Sequence, residues 1–271
     1  MVHMDPHILS NRATNIKLLA SEQDTAGMNI LNFISQDLQF KTKIVKEVSI
    51  YADYEIKSLE LNPQTSIIFL SRHSAKSLRP SLTVHPIGNF SKAEFGGKDF
   101  TLINCDSFIL KLLFLKINQL LGTNEYKLSY QYENSLEVTH HGPFTSHYVT
   151  YIEVGSSKDQ WNDLEACRLI ADVINQSNFN ELQTLDWTSC IGFGGNHYST
   201  KFTKQMLDSE YAFGHICAKY AIPFLNKELV QQMIQKTYPE PQIAFFDRKS
   251  IKKKQEIRSW LQEFNIDVIQ I

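Results

Sequence analysis

No Cys-x-x-Cys pair occurs in the 271 residues; Cys105, Cys167, Cys190 and Cys217 are scattered. That spacing speaks against a cysteine-only zinc site or a disulfide scaffold, and a reducing, cytoplasmic setting is expected. Neither sign of charge is in excess, since 27 Lys plus Arg stand against 29 Asp plus Glu for a formal net charge of −2. Indiscriminate nucleic-acid binding is therefore disfavoured, and any RNA contact has to be local. A secretory apolar segment is missing at the start, as is any apolar run near membrane-spanning length; the longest candidate is interrupted by Lys111 and Lys116. No membrane segment is expected. Gly-x-Gly-x-x-Gly, P-loop and His-Glu-x-x-His spacings are also lacking, which leaves a nucleoside-triphosphate site and a local zinc motif unsupported. Internal repeats and long low-complexity linkers are absent.

What is present is an alternation of strand-like and helix-like segments after a loose polar tail at 1–12 that contains His3 and His7. Strands are predicted at 16–20, 43–50, 66–70, 127–132, 148–154, 185–193, 242–246 and 267–271. Helices are predicted at 25–40 (with Leu38 on its apolar face), 106–121 (capped by Asp106 or Ser107 and stopped by Gly122), 158–176, from 200, at 225–236, and from Ser250 to 264. This alternation indicates an α/β fold around a largely parallel sheet. One compact catalytic domain over 1–271 is expected, with two intimately packed lobes as the alternative.

Chemistry concentrates in Glu137-Val138-Thr139-His140-His141-Gly142-Pro143. On a strand, Glu137, Thr139 and His141 share one face and His140 takes the other, so both imidazoles meet in one pocket only if the strand ends or bulges at His140. Gly142-Pro143 favours such an ending. Metal ligation and proton transfer both suit the pair, and one core histidine beside one solvated one is the competing description. Ligands of open α/β sheets sit beyond the carboxyl ends of the strands, where the His73, His85, His140/His141, Gly155 and His197 loops are expected to begin. Seven of the nine histidines then form one constellation. Arg72 offers a guanidinium to a phosphate or carboxylate. The turn after His85, with Gly88, Asn89 and Phe90, can expose backbone amides. Gly194, Gly195 and Asn196 let backbone approach a ligand closely, and His197 and Tyr198 add acid–base capacity. Each of these has a plain structural alternative as a turn or a surface pair. Gly214-His215 reads as a buried histidine near the site.

Taken together, Ser71-Arg72-His73-Ser74, Leu82-Thr83-Val84-His85, Gly88-Asn89, the Thr-His-His-Gly-Pro segment, Glu153-Val154-Gly155-Ser156 and Gly194-Gly195-Asn196-His197-Tyr198 resemble the archaeal and plant type of D-aminoacyl-tRNA deacylase. The resemblance spans most of the chain. It implies a hydrolase that cleaves the ester between a D-amino acid and the terminal adenosine of tRNA, with zinc as cofactor and aminoacyl-tRNA as partner. It also implies a three-layer sandwich similar to phosphorylase and peptidyl-tRNA hydrolase folds, and a monomer is expected. On this basis His140, His141, Glu137, His73 and His197 are the catalytic candidates and His85, His140 and His141 the metal candidates. Arg72, Gly88, Asn89, Phe90, Gly194, Gly195, Asn196 and Tyr198 are the candidates for binding substrate. Phe90, Phe193 or Tyr198 would stack on the terminal adenine, and Lys252, Lys253, Lys254 and Arg258 would meet phosphates. The turns at Gly88–Phe90 and Gly194–Asn196 are the candidate wall that rejects L-amino acids. Two rivals stay open: a phosphorylase-like nucleoside-cleaving enzyme with phosphate in the glycine loop, and a non-catalytic tRNA-binding protein.

Overall fold

The computed structural model describes residues 15–36, 40–248, 251 and 253–271. The expected tail at 1–12 with His3 and His7, the helical position Leu38, and Ser250 and Lys252 lie outside the described residues.

In chain order the strands are β1 (Ile16–Ser21), β2 (Lys41–Val45), β3 (Ser66–Ser74), β4 (Ser81–His85), the two-residue β5 (Gly88–Asn89), β6 (Thr101–Leu102) and β7 (Cys105–Asp106), and β8 (Glu133–Leu136). Then come β9 (Tyr148–Ser156), β10 (Thr188–Phe193), β11 (Tyr211–Cys217), the short β12 (Thr237–Tyr238), β13 (Ile243–Phe246) and β14 (Asp267–Gln270). Ten of them form a six-stranded sheet ordered β2-β1-β3-β9-β4-β8 and a four-stranded sheet ordered β11-β10-β13-β14, and the short strands pair as β5-β6 and β12-β7. Pairing is parallel throughout both larger sheets, except that β4 runs antiparallel to β9. The sheet is thus mixed and largely parallel, as expected, and its strands divide between two units.

Helices cover both sides. Thr25–Asn32, Ser107–Leu121 and Leu164–Asn175 pack Ala26, Ile30, Leu110, Phe114, Ala166 and Ile170 against Leu18, Ile68, Leu82 and Ile152 of the large sheet. The Ser107–Leu121 helix also touches Cys190 and Phe213 of the small sheet, so one helix bridges the two units. The far face of the small sheet lies under Lys227–Gln235 and Lys254–Glu263. The opposite face of the large sheet carries Leu19, Phe69 and Tyr151, roofed in part by Ala52, Ile56 and Ile87.

Several boundaries differ from expectation, each for a tertiary reason. The first helix stops at Asn32 and not at Phe40, because Asn175 takes the carbonyl of Phe33 (3.1 Å) and the amide of Ser35 (3.1 Å). The strand expected at 43–50 ends at Val45, where the Glu55 carboxylate accepts the amides of Lys46 and Glu47. Residues 127–132 form no strand, since Asp163 and Glu165 side chains claim the Ser129 and Lys127 amides. Asp163 then caps Leu164–Asn175, splitting the helix expected over 158–176. The strand at 211–217 was not expected at all.

Candidate functional site

Period-two alternation in β3, β4 and β9 decides where the chemistry sits. Register pairs Ser71 and Thr83 with Glu153, His73 with Gly155, and His85 with Tyr151, so His73, Thr83, His85, Tyr151 and Glu153 share one face of the large sheet. His140, His141 and His197 follow the carboxyl ends of β8 and β10, as expected, whereas His73, His85 and Glu153 lie on a sheet face. The reversed direction of β4 brings His85 level with the middle of β9.

The Thr-His-His-Gly-Pro segment closes over this face. The strand ends at Leu136, and beyond it the segment keeps only an isolated bridge between His140 and Ile87. His141 adopts a positive φ of 48°, a conformation uncommon for non-glycine residues that swings its ring back beside its neighbour. His140 and His141 centroids are 4.5 Å apart, and His85 lies 4.2 Å from His140 and 5.0 Å from His141. Tyr151 floors the group, 5.4 Å from His85 and 4.8 Å from His141.

Tautomers follow from the carbonyls. His85 Nδ1 donates to Pro86 (3.2 Å), His140 Nδ1 to Val138 (2.8 Å) and His141 Nδ1 to Gly142 (2.6 Å). A carbonyl only accepts, so each Nδ1 carries the hydrogen; the neutral rings of His140 and His141 keep a lone pair on Nε2, whereas His85 is pushed up, burial opposing but Glu153 beside its Nε2 prevailing. One ring nitrogen from each of the three lies within 4.8 Å of the other two. Burial, with His85 nearby, pushes His140 well below its ordinary value and His141 down to about 4. Both are neutral at pH 7.

Two buried carboxylates complete the centre. Glu137, 0% exposed, sits with Oε1 3.1 Å from His73 Nδ1 and Oε2 2.9 Å from His197 Nε2. Glu153 Oε2 lies 3.3 Å from His73 Nδ1, 3.6 Å from His85 Nε2 and 3.4 Å from the Thr83 hydroxyl. Burial opposes charge on all three groups, but the ion pairs prevail. His73 is pushed up to about 10 by Glu137 and Glu153, Glu153 is held down at about 2 by His73 and His85, and Glu137 lies well below the usual range. His73 is thus a fixed imidazolium between two carboxylates, and its Nε2 donates to the Tyr198 hydroxyl (2.9 Å). His197 donates Nε2–H to Glu137 and turns Nδ1 toward the Tyr220 hydroxyl at 3.5 Å.

The centre opens into a cleft of about 740 Å³ that reaches His73, His140, His141, Glu153 and His197. Arg72, Gly88, Asn89 and Phe90 line it, whereas Gly194, Gly195, Asn196 and Tyr198 are not among its lining residues. Gly194 and Gly195 instead shape a turn, at φ 103° and 77°, that ties to Cys217 and Lys219. The Arg72 guanidinium is held 5.1 Å over Trp161 and bonds to the Gln23 carbonyl. Phe193 is buried in the core and Phe90, though it lines the cleft, is only 4% exposed, so neither presents a ring face to an adenine, and Tyr198 is engaged by His73. Lys253 and Lys254 bond to backbone carbonyls, and Arg258 lies over Phe246.

Among the described residues five histidines converge, not seven. His215 is buried behind the site and faces the Thr139 hydroxyl through Nδ1 (3.1 Å), while His147 neighbours the backbone of Asn62 and Pro63. Glu153 was missed as a site residue. Its signal was a lone carboxylate inside the apolar run Tyr148–Val154, where both strand faces are buried.

Known proteins share this architecture. The D-aminoacyl-tRNA deacylase family model matches residues 61–269. A D-aminoacyl-tRNA deacylase of Archaeoglobus fulgidus is 30% identical over 86% of this chain and 87% of its own length. That of Thermococcus kodakarensis is 36% identical over 75% of this chain and 73% of its own, and that of Methanosarcina mazei 30% identical over 100% and 96%. A crystal structure described as a conserved protein of unknown function superposes with a TM-score of 0.82 at 28% identity, covering 94% of each chain. Motif order, a site built from those motifs, and matches over most of the chain together place this protein in the D-aminoacyl-tRNA deacylase family.

Proposed function

We propose that the protein hydrolyses the ester of D-aminoacyl-tRNA in this cleft, with a zinc ion held by His85, His140 and His141 and with His197 moving the proton. The observation that carries the reading is the set of three imidazoles, each tied by Nδ1 to a backbone carbonyl and each with a ring nitrogen within 4.8 Å of the other two. Such outer bonds fix the tautomer that a zinc ligand needs. His85 Nε2 is buried without a hydrogen-bond partner among the described residues, which fits a position meant for a metal. A zinc ion held by these three residues would supply Lewis acidity to the ester.

The remaining steps belong to the chain's own groups. Glu137 orients His197 so that Nδ1 carries a lone pair at the cleft, the arrangement of a general base. Water attacks the carbonyl carbon and gives its proton to His197 Nδ1. When the carbon–oxygen bond to the ribose breaks, the same nitrogen returns that proton to the departing oxygen. His73 keeps the two carboxylates from repelling each other and lets both stay ionised in a dry site. Gly88, Asn89 and Phe90 supply the wall against which the α-carbon is read. Gly88 N donates to the carbonyl of His141 (2.9 Å), and Asn89 Nδ2 bonds to Gly96 and Lys98 carbonyls (2.9 and 3.3 Å), so this wall is fixed relative to the histidines. With Gly194–Asn196 outside the cleft lining, the phosphate site of a phosphorylase loses its basis.

Matched D- and L-tyrosyl-tRNA provide the test. The D-ester should be hydrolysed at least about 100-fold faster, because rejection by clash exceeds what one small apolar contact supplies. Equal rates on the two esters would sink the reading.

A further inference from the structure

Three large aromatic side chains remain exposed in the one cleft that holds the histidines. Phe95 is 63% exposed, Tyr220 56% and Phe224 51%, and all three line that cleft. They come from two elements that face it: Phe95 from the loop between β5 and β6, Tyr220 and Phe224 from the turn after β11. Neither element is loose. Phe95 accepts the Gly142 amide through its carbonyl (3.0 Å), and the second turn is closed by Ala221 to Ala218 (2.9 Å) and Phe224 to Ala221 (3.0 Å) backbone bonds.

We propose that Phe95, Tyr220 and Phe224 form the stacking platform for the unpaired bases at the 3′ end of the RNA. The assignment rests on the deacylase reading and extends it to the nucleotides beyond the ester. Base faces are large, flat and apolar, and they stack on aromatic rings without regard to sequence. Position selects bases over the amino-acid side chain as the occupant. The Tyr220 hydroxyl lies 3.5 Å from His197 Nδ1, the nitrogen that returns a proton to the ribose oxygen, so Tyr220 stands on the leaving-group side, and Phe224 lines the cleft from the same turn. Charge agrees with an RNA strand. Exposed Lys92 lines the cleft with Phe95, where Glu94 is its acidic neighbour, and exposed Lys219 adjoins Tyr220. These cations are placed to meet phosphates between stacked bases, a focused contact that a chain of net charge −2 requires.

The test uses the purified full chain and two uncharged RNA hairpins, one with four unpaired 3′ nucleotides and one blunt. Wild-type protein should prefer the overhang, and Phe95→Ala and Phe224→Ala should each weaken overhang binding about 10-fold, with blunt binding unchanged and Phe224→Tyr restoring affinity. Turnover of D-tyrosine ethyl ester, which has no nucleoside, should be unaffected by Phe224→Ala. Equal wild-type affinity for the two hairpins overturns the proposal. So does a Phe95→Ala or Phe224→Ala protein that keeps overhang affinity while its D-tyrosyl to D-alanyl preference changes, since that places the amino-acid side chain on the platform. Because these RNAs carry no ester, a wild type that prefers the overhang but hydrolyses neither D- nor L-ester refutes the deacylase reading and leaves the platform standing.

Discussion

His85, His140 and His141 give their Nδ1 hydrogens to main-chain carbonyls, while His197 gives its Nε2 hydrogen to a carboxylate. The two kinds of imidazole should fail differently. Alanine at 85, 140 or 141 should lower zinc content measured by elemental analysis together with turnover. His197→Ala should keep the zinc and still lose about 100-fold or more in kcat, the usual scale for a positioned acid–base group. Loss of zinc in the His197 variant would merge the two roles. Much of this was legible in residues 137–143: alternation alone separates the adjacent rings, and Gly142-Pro143 signals the break that lets them meet. Glu153 was harder to read, because a strand buried on both faces has no polar side to make a carboxylate conspicuous. The partners of His73 were illegible for another reason. Its charge depends on Glu137 and Glu153, which local sequence does not bring near it.

At the scale of elements, Lys111 shows how a residue type is reinterpreted by its neighbours. As a break in an apolar run it argued against a membrane segment, and among the described residues no helix is long and apolar enough to cross a membrane. In the fold it is 1% exposed, and its ammonium donates to the carbonyls of Met206 (2.9 Å), Ser209 (2.6 Å) and Tyr211 (2.9 Å). Burial pushes it down to about 8, which leaves it charged at neutral pH where the end of the Thr200–Asp208 helix attracts a cation. Lys111→Met should cost about 3 kcal/mol through the stranded carbonyls and lower Tm by roughly 5–10 °C in calorimetry. An unchanged Tm would show that those oxygens find other donors. The direction of β4 belongs to the same scale. Leu82-Thr83-Val84-His85 reads as a short apolar run either way, because a period of two carries no arrow. The histidines were found while the address of His85, face or edge, was not.

For the molecule as a whole, zinc bound only by the folded site should appear as stability. Free metal at about 100 times its dissociation constant adds about 2.7 kcal/mol, so a chelator should lower Tm by several degrees and abolish ester hydrolysis, and added zinc should restore both. A chelated protein with the same Tm and full turnover would remove zinc from the account. The division of strands between two sheets was not readable from alternation, which gives strand number but not which strands share a ladder. That division has a temporal side. His73 meets Tyr198 across 125 positions of sequence, and Glu137 meets His197 across 60. His197 follows β10, and β10 is flanked by β11 and β13, both of which emerge from the ribosome after it. A nascent chain therefore carries the Thr-His-His-Gly-Pro segment for many residues before the strand that positions His197 has its neighbours. The Glu137–His197 pair is thereby completed by strands that are made after both of its members.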